Sequence, residues 1–90
     1  MIQYEIKITG RVQGVGFRYY VLQQAKLFNL KGWVKNTSNG NVLVMVQGEK
    51  ELIGTFTDYL RIGAPMSRVT GVSIAPMTIT ETFNDFTVKY

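Results

Sequence analysis

The chain has 90 residues, 46% of them apolar, enough for one domain with one modest core. It contains no Cys and no His, which excludes disulfide frameworks, thiolate chemistry, Ser-His-Asp and Cys-His arrangements, phosphohistidine and imidazole metal sites. Ten Lys and Arg against six Asp and Glu give a formal charge of +4, which favours anionic partners, although the basic residues form no run.

Ile2, Tyr4, Ile6 and Ile8 alternate with polar residues, a period of two that predicts a strand with one buried face. A glycine-rich junction follows, Gly10 to Arg18. From Phe17 to Phe28 the period becomes helical, with Phe17, Val21, Ala25 and Phe28 on one face, Tyr20 beside them, and Asn29 and Gly32 as stop signals. Gly32 to Thr37 predicts a second strand, and Ser38-Asn39-Gly40-Asn41 a turn. Val42 to Gln47 is a third strand, whose unbroken apolar run predicts a central place in the sheet. Glu49 to Ile62 is helical again, with Leu52, Ile53, Phe56, Tyr59 and Leu60 on one face, Gly63 as a cap and Pro65 blocking continuation. Val69, Val72 and Ile74 mark a less regular fourth strand, Thr78 to Asn84 a loop or hairpin connection, and Phe86 to Tyr90 a closing strand.

The order is β-α-β-β-α-β with a fifth strand possible. It predicts a single α+β domain over 1–90, a ferredoxin-like sandwich with two helices on one face of a mostly antiparallel four- or five-stranded sheet. Enzymes, RNA binders and regulatory domains share that fold, so it does not settle function. With no basic-then-apolar N-terminal pattern and no apolar run near ~18 residues, a soluble, cytoplasmic protein without a membrane partner is expected.

Chemistry concentrates at the junction. Glycine lets successive backbone N–H groups converge on one concavity, and this loop feeds a helix N-terminus, where unpaired amides favour negative charge. Arg18 stands there with a planar fork that can take two phosphate oxygens and stays charged at any physiological pH. No Lys-Ser/Thr follows, as in a P-loop, and no third glycine completes a dinucleotide fingerprint. On these grounds a phosphate cradle and a tight turn that merely needs glycine both remain open, with Val12, Val15 and Phe17 as core anchors in the second reading. Asn36, beside Asn39 and Asn41, reads by itself as a strand-end or turn residue.

Gly10-Arg11-Val12-Gln13-Gly14-Val15-Gly16-Phe17-Arg18 resembles the first signature of the acylphosphatase family, and Gly32-Trp33-Val34-Lys35-Asn36-Thr37-Ser38-Asn39-Gly40-Asn41-Val42 its second. The likeness extends to Gly63-Ala64-Pro65 and the closing strand, so it covers nearly the whole chain. It implies hydrolysis of a small-molecule acyl phosphate to a carboxylate and inorganic phosphate, with no metal and no organic cofactor. It implies that Arg18 binds the phosphate, that Asn36 positions the attacking water, and that the backbone of Val12, Gln13, Gly14, Val15, Gly16 and Phe17 forms the cradle. A monomer is expected from size and resemblance, and phosphate should inhibit competitively.

An acyl phosphate is a mixed anhydride with good leaving groups, so the main demands are charge stabilisation and orientation of water. Asn36 can accept one hydrogen bond from water and donate another but takes no proton at neutral pH, so a substrate oxygen is the expected proton acceptor. In-line attack on phosphorus is the preferred course. Arg11 reads as a second anion contact or a solvated charge, Lys35 as a surface residue, and Tyr19, Tyr20, Trp33, Tyr59 and Tyr90 as core or semi-buried rim residues. Glu49 and Glu51 suit the first turn of a helix, and no acidic cluster suggests a metal site. The rival is an RNA-recognition module, but its third strand would carry base-stacking aromatics and this one carries none, so no nucleic-acid partner is expected. A regulatory domain that kept the fold and lost activity is the second rival.

Overall fold

Seven elements follow one another: β1 (Ile2–Arg11), α1 (Phe17–Leu27), β2 (Lys31–Asn36), β3 (Val42–Gly48), α2 (Lys50–Ile62), β4 (Arg68–Pro76) and β5 (Phe86–Lys89). They are drawn from a computed structural model that describes residues 1–90. The strands form one sheet in the order β4-β1-β3-β2-β5. All pairings are antiparallel except β2 with β5, which is parallel. This is the ferredoxin-like α+β sandwich, with the fifth strand present and β3 at the centre.

The period of two in β1 places Ile6 and Ile8 on the helix-bearing face, paired with Val44 and Val42 of β3. Val34 of β2 continues the same row. Against this face α1 sets Phe17, Val21 and Ala25, and α2 sets Ile53, Phe56 and Leu60, in one cluster of 16 buried apolar residues. Each large side chain fully buried there contributes roughly 1.5–3 kcal/mol relative to exposure. Phe56 meets Phe86 edge to face at 6.3 Å, which ties α2 to the edge strand β5.

Two sequence expectations shift. The buried stripe of α2 takes in Thr57, whose hydroxyl donates to the Ile53 carbonyl at 2.7 Å, and leaves Tyr59 41% exposed. A threonine enters the core when its own helix satisfies its hydroxyl. The irregular spacing of Val69, Val72 and Ile74 has a cause in a β-bulge. The register slips between Thr9 and Gly10, so Gly10 faces Val69 while Ile8 faces Val72. One extra residue lies between them, and residues three apart therefore share a face.

The other sheet face carries no helix. There Gln47 is fully buried, although polar. Its side-chain amide donates to Gln3 Oε1 at 2.5 Å and to the Glu81 carbonyl at 2.7 Å, and its Oε1 accepts from the Phe83 amide at 3.1 Å. The connection from β4 to β5 is thereby fastened across the centre of the sheet, where its length lets it reach β5 at the far edge.

Candidate active site

The topology decides which ends meet. Because β3 is antiparallel to both β1 and β2, those two strands run in the same direction, and β5 runs parallel to β2. The C-terminal ends of β1, β2 and β5 thus share one edge of the sheet. Ile8, Val42 and Asn36 lie in one row across the three inner strands, which places Asn36 about 10 Å from β1 at two inter-strand spacings. The β1–α1 loop leaves β1 at this edge, and α1 starts above it.

The loop is shaped by two glycines. Gly14 has φ 72° and Gly16 φ 75°, conformations that side-chain-bearing residues rarely adopt. A Cβ at either would meet no atom within 4 Å, so the requirement for glycine is conformational and the concave side is open. Gly16 is the N-cap of α1 and supplies no side-chain cap. The first bond of the helix runs from the Tyr20 amide to the Gly16 carbonyl at 3.1 Å, and no amide from Val12 to Tyr19 donates a turn, loop or cap bond. A helix start left uncapped in this way presents its donors outward. Val12 and Phe17 are each 1% exposed and anchor the two ends of the loop in the core.

Beside this loop lies a cleft of about 470 Å³ that Gly14, Gly16, Arg18 and Asn36 line together. Arg18 is half-buried. One of its terminal nitrogens donates to the Lys89 carbonyl at 3.3 Å, and its guanidinium lies 4.7 Å from the centre of the Tyr90 ring. The fork is therefore oriented by β5. Asn36 ends β2 on the helix-bearing face; its Oδ1 is buried and has no hydrogen-bond partner within the chain. A buried unpaired carbonyl of this kind costs about 1–3 kcal/mol.

Gln13 does not line the cleft. Its side-chain amide donates to the Thr37 carbonyl at 2.8 Å and to the Asn41 carbonyl at 2.7 Å. The loop that carries the amides is thus tied to the turn that follows Asn36. That turn is closed by Thr37 N–H to the Asn41 carbonyl at 2.9 Å, by the Asn41 amide to Thr37 Oγ1 at 3.2 Å, and by a bond from Thr37 Oγ1 to Asn39 Oδ1. Val15, the other loop residue outside the lining, packs against the core.

Tyr19 and Tyr90, expected as core or semi-buried rim residues, are instead 62% exposed and fully exposed, and both line the cleft with Leu22 and Val88. Position 19 lies about 200° around the helix from the core-facing Phe17, which turns it to solvent. Tyr90 follows the last paired residue of β5, beside Asn36 at the end of β2. Sequence reasoning missed this wall because aromatic content does not reveal exposure. Tyr20 is half-buried and donates its hydroxyl to the Tyr59 carbonyl at 2.8 Å. Burial pushes that hydroxyl above the ordinary tyrosine value, with the Tyr59 hydroxyl adding a smaller push in the same direction. No three metal-ligating side chains converge anywhere in the chain, and no helix is long and apolar enough to cross a membrane.

Fold and cleft define a small ferredoxin-like protein whose pocket is lined by a glycine-containing loop, one arginine and one asparagine among apolar side chains. Residues 4–88 match the acylphosphatase family profile. The chain is 43% identical over 89 residues to an acylphosphatase of Bacillus pumilus, covering 99% of both chains. The crystal structure of acylphosphatase from Bacillus subtilis superposes with a TM-score of 0.96 at 39% identity, covering 100% of both chains. An acylphosphatase structure from Coxiella burnetii gives 0.93 at 35% identity, covering 98% of this chain and 92% of that one. The chain belongs to the acylphosphatase family of enzymes.

Proposed function

We propose that this chain hydrolyses acyl phosphates at the cleft, with the phosphoryl group held by the loop amides and Arg18 and the attacking water held by Asn36. The observation that carries the reading is that Arg18, Asn36 and the glycines of a loop whose amides make no turn, loop or cap bond all line a single cleft. Amides and guanidinium together suit a dianionic phosphate. A small rotation of the Asn36 side chain lets its Oδ1 accept from water, which relieves the cost of leaving it unpaired.

The water oxygen attacks phosphorus in line, a new P–O bond forms, and the bond between phosphorus and the acyl oxygen breaks. The electron pair leaves with the carboxylate. One water proton passes to a phosphoryl oxygen, so the products are a carboxylate and a singly charged phosphate. No side chain has to act as a strong base, which suits a chain without His. Preorganised donors around the phosphoryl group supply most of the rate, as positioning and charge stabilisation do in phosphoryl transfer generally. No step calls for a metal or organic cofactor. Inorganic phosphate, as product, competes for the same donors. The cleft is built from one chain, so a monomer suffices.

Hydrolysis of acetyl phosphate in ¹⁸O-labelled water tests the reading. Label in the phosphate, with competitive inhibition by added phosphate, is expected. Label confined to the acetate would show attack at carbon, and absence of turnover by the folded protein would overturn the function.

A further inference from the structure

A second cavity lies on the sheet face that carries no helix. It holds about 570 Å³ between that face and the connection from β4 to β5, a volume in the range of small-molecule sites. Its floor is Trp33 and Met45, paired in register on β2 and β3. Its wall is Met77 and Phe83 of the connection, with Thr78 and Thr80 beside them. Hydrogen bonds fix this wall to the sheet. The Met77 amide donates to the Gln3 carbonyl at 2.9 Å, the Gln47 side chain donates to the Glu81 carbonyl at 2.7 Å, and the Phe83 amide donates to Gln47 Oε1 at 3.1 Å. A wall held in this way spares a ligand the cost of ordering it.

The charge around the cavity is one-sided. Trp33 is half-buried, and two ammoniums lie over its ring, Lys89 at 4.4 Å and Lys35 at 5.3 Å from the centre. Lys35 and Lys89 stand directly opposite each other on β2 and β5. Like charges so placed repel, and the electron-rich indole offsets only part of that repulsion. The two ammoniums outnumber the one carboxylate of the lining, Glu81. Alternation puts Lys7 and Lys31 on the same face, against Glu5. An anion between Lys35 and Lys89 cancels their repulsion and draws them off the ring, which then takes a flat body. None of these side chains lines the cleft of Arg18 and Asn36.

We propose that this cavity is a second ligand site, separate from the cleft, for an aromatic anion of mononucleotide size. The ring of the ligand lies against Trp33 and Met45, and its anionic group takes the ammoniums of Lys35 and Lys89. Both parts are needed: a ring alone leaves the lysines opposed, and an inorganic anion alone leaves the indole without a partner. The site does not rest on hydrolysis in the cleft.

Trp33 is the single tryptophan of the chain, so its fluorescence reports on this cavity. Fluorescence and calorimetric titrations with adenosine monophosphate, adenosine and inorganic phosphate test the site in wild type, Lys89→Gln, Lys89→Arg and Arg18→Ala. Lys89 is exposed, so its replacement leaves the core intact. The monophosphate should bind saturably and quench Trp33, with adenosine and inorganic phosphate each at least about tenfold weaker at this site. Lys89→Gln should weaken the monophosphate about three- to tenfold, and Lys89→Arg, which keeps the charge, should retain it. Arg18→Ala should leave the dissociation constant of the quenching site unchanged, because the cleft takes no part. Absence of saturable binding in both titrations, adenosine or phosphate binding as tightly as the monophosphate, or an unchanged constant in Lys89→Gln would overturn the site. Loss of the quenching in a folded Arg18→Ala protein would overturn it too, by placing the ligand in the cleft.

Discussion

At the scale of single residues, the shape of the proposed site depends on side chains outside the cleft. Gln13 spends both amide hydrogens on the carbonyls of Thr37 and Asn41, so the loop amides and Asn36 are held as one unit. Each carbonyl has another donor, from Gly40 and Thr37 respectively, so losing Gln13 does not orphan either of them. Gln13→Ala should therefore cost only about 1–2 kcal/mol in stability by chemical denaturation. Its kcat should fall roughly 10- to 100-fold, because displacement of about 1 Å between cradle and water is enough for that. A variant with unchanged kcat would show that the tether has no positioning role. Arg18 and the glycines were legible in the sequence because their chemistry is local: positive φ and a forked cation announce themselves. Gln13 was not, since its partners lie 24 and 28 residues away. The exposure of Tyr19 and Tyr90 was equally hidden.

At the scale of elements, the loop and Asn36 share one end of the sheet because α1 is a crossover that carries the chain back to run β2 in the same direction as β1, with β3 paired antiparallel between them. The element order suggested this arrangement, but only the pairing shows it, because strand order is a non-local property that periodicity does not encode. The burial of Gln47 is a similar case: it is polar in the sequence and fully buried in the fold because the β4–β5 connection folds over it. Gln47→Leu leaves Gln3 Oε1 and the Phe83 amide without their partners and should destabilise by about 2–4 kcal/mol, with faster hydrogen exchange at Phe83. Wild-type protection there would rule out the fastening role. The Tyr20 hydroxyl joins α1 to α2 through the Tyr59 carbonyl. Its value is raised in the folded state, so its stabilising contribution is complete below the ordinary tyrosine value and is lost as pH rises through the raised one. Tyr20→Phe should abolish that part of the alkaline loss of stability in thermal melts, and an unaltered alkaline profile would contradict the assignment.

At the scale of the molecule, a formal charge of +4 on 90 residues gives a field that attracts a dianionic substrate. Raising inert salt from roughly 0.02 to 0.5 M should lower kcat/KM about three- to tenfold with kcat nearly constant, since screening acts on encounter and binding. A salt effect confined to kcat would contradict this. The same whole-molecule view explains why fold class was readable early: the hydrophobic period switches from two to 3.6 and back in an order that few topologies accommodate. The central claim is that Arg18 and Asn36 act together in one cleft, and its most direct test is acetyl phosphate hydrolysis with divalent metals chelated. We expect activity in the wild type, losses of roughly 100-fold or more in Arg18→Ala and Asn36→Ala, and little recovery in Arg18→Lys, whose point charge cannot reproduce the fork. Full activity in a folded Asn36→Ala or Arg18→Ala protein would contradict the account.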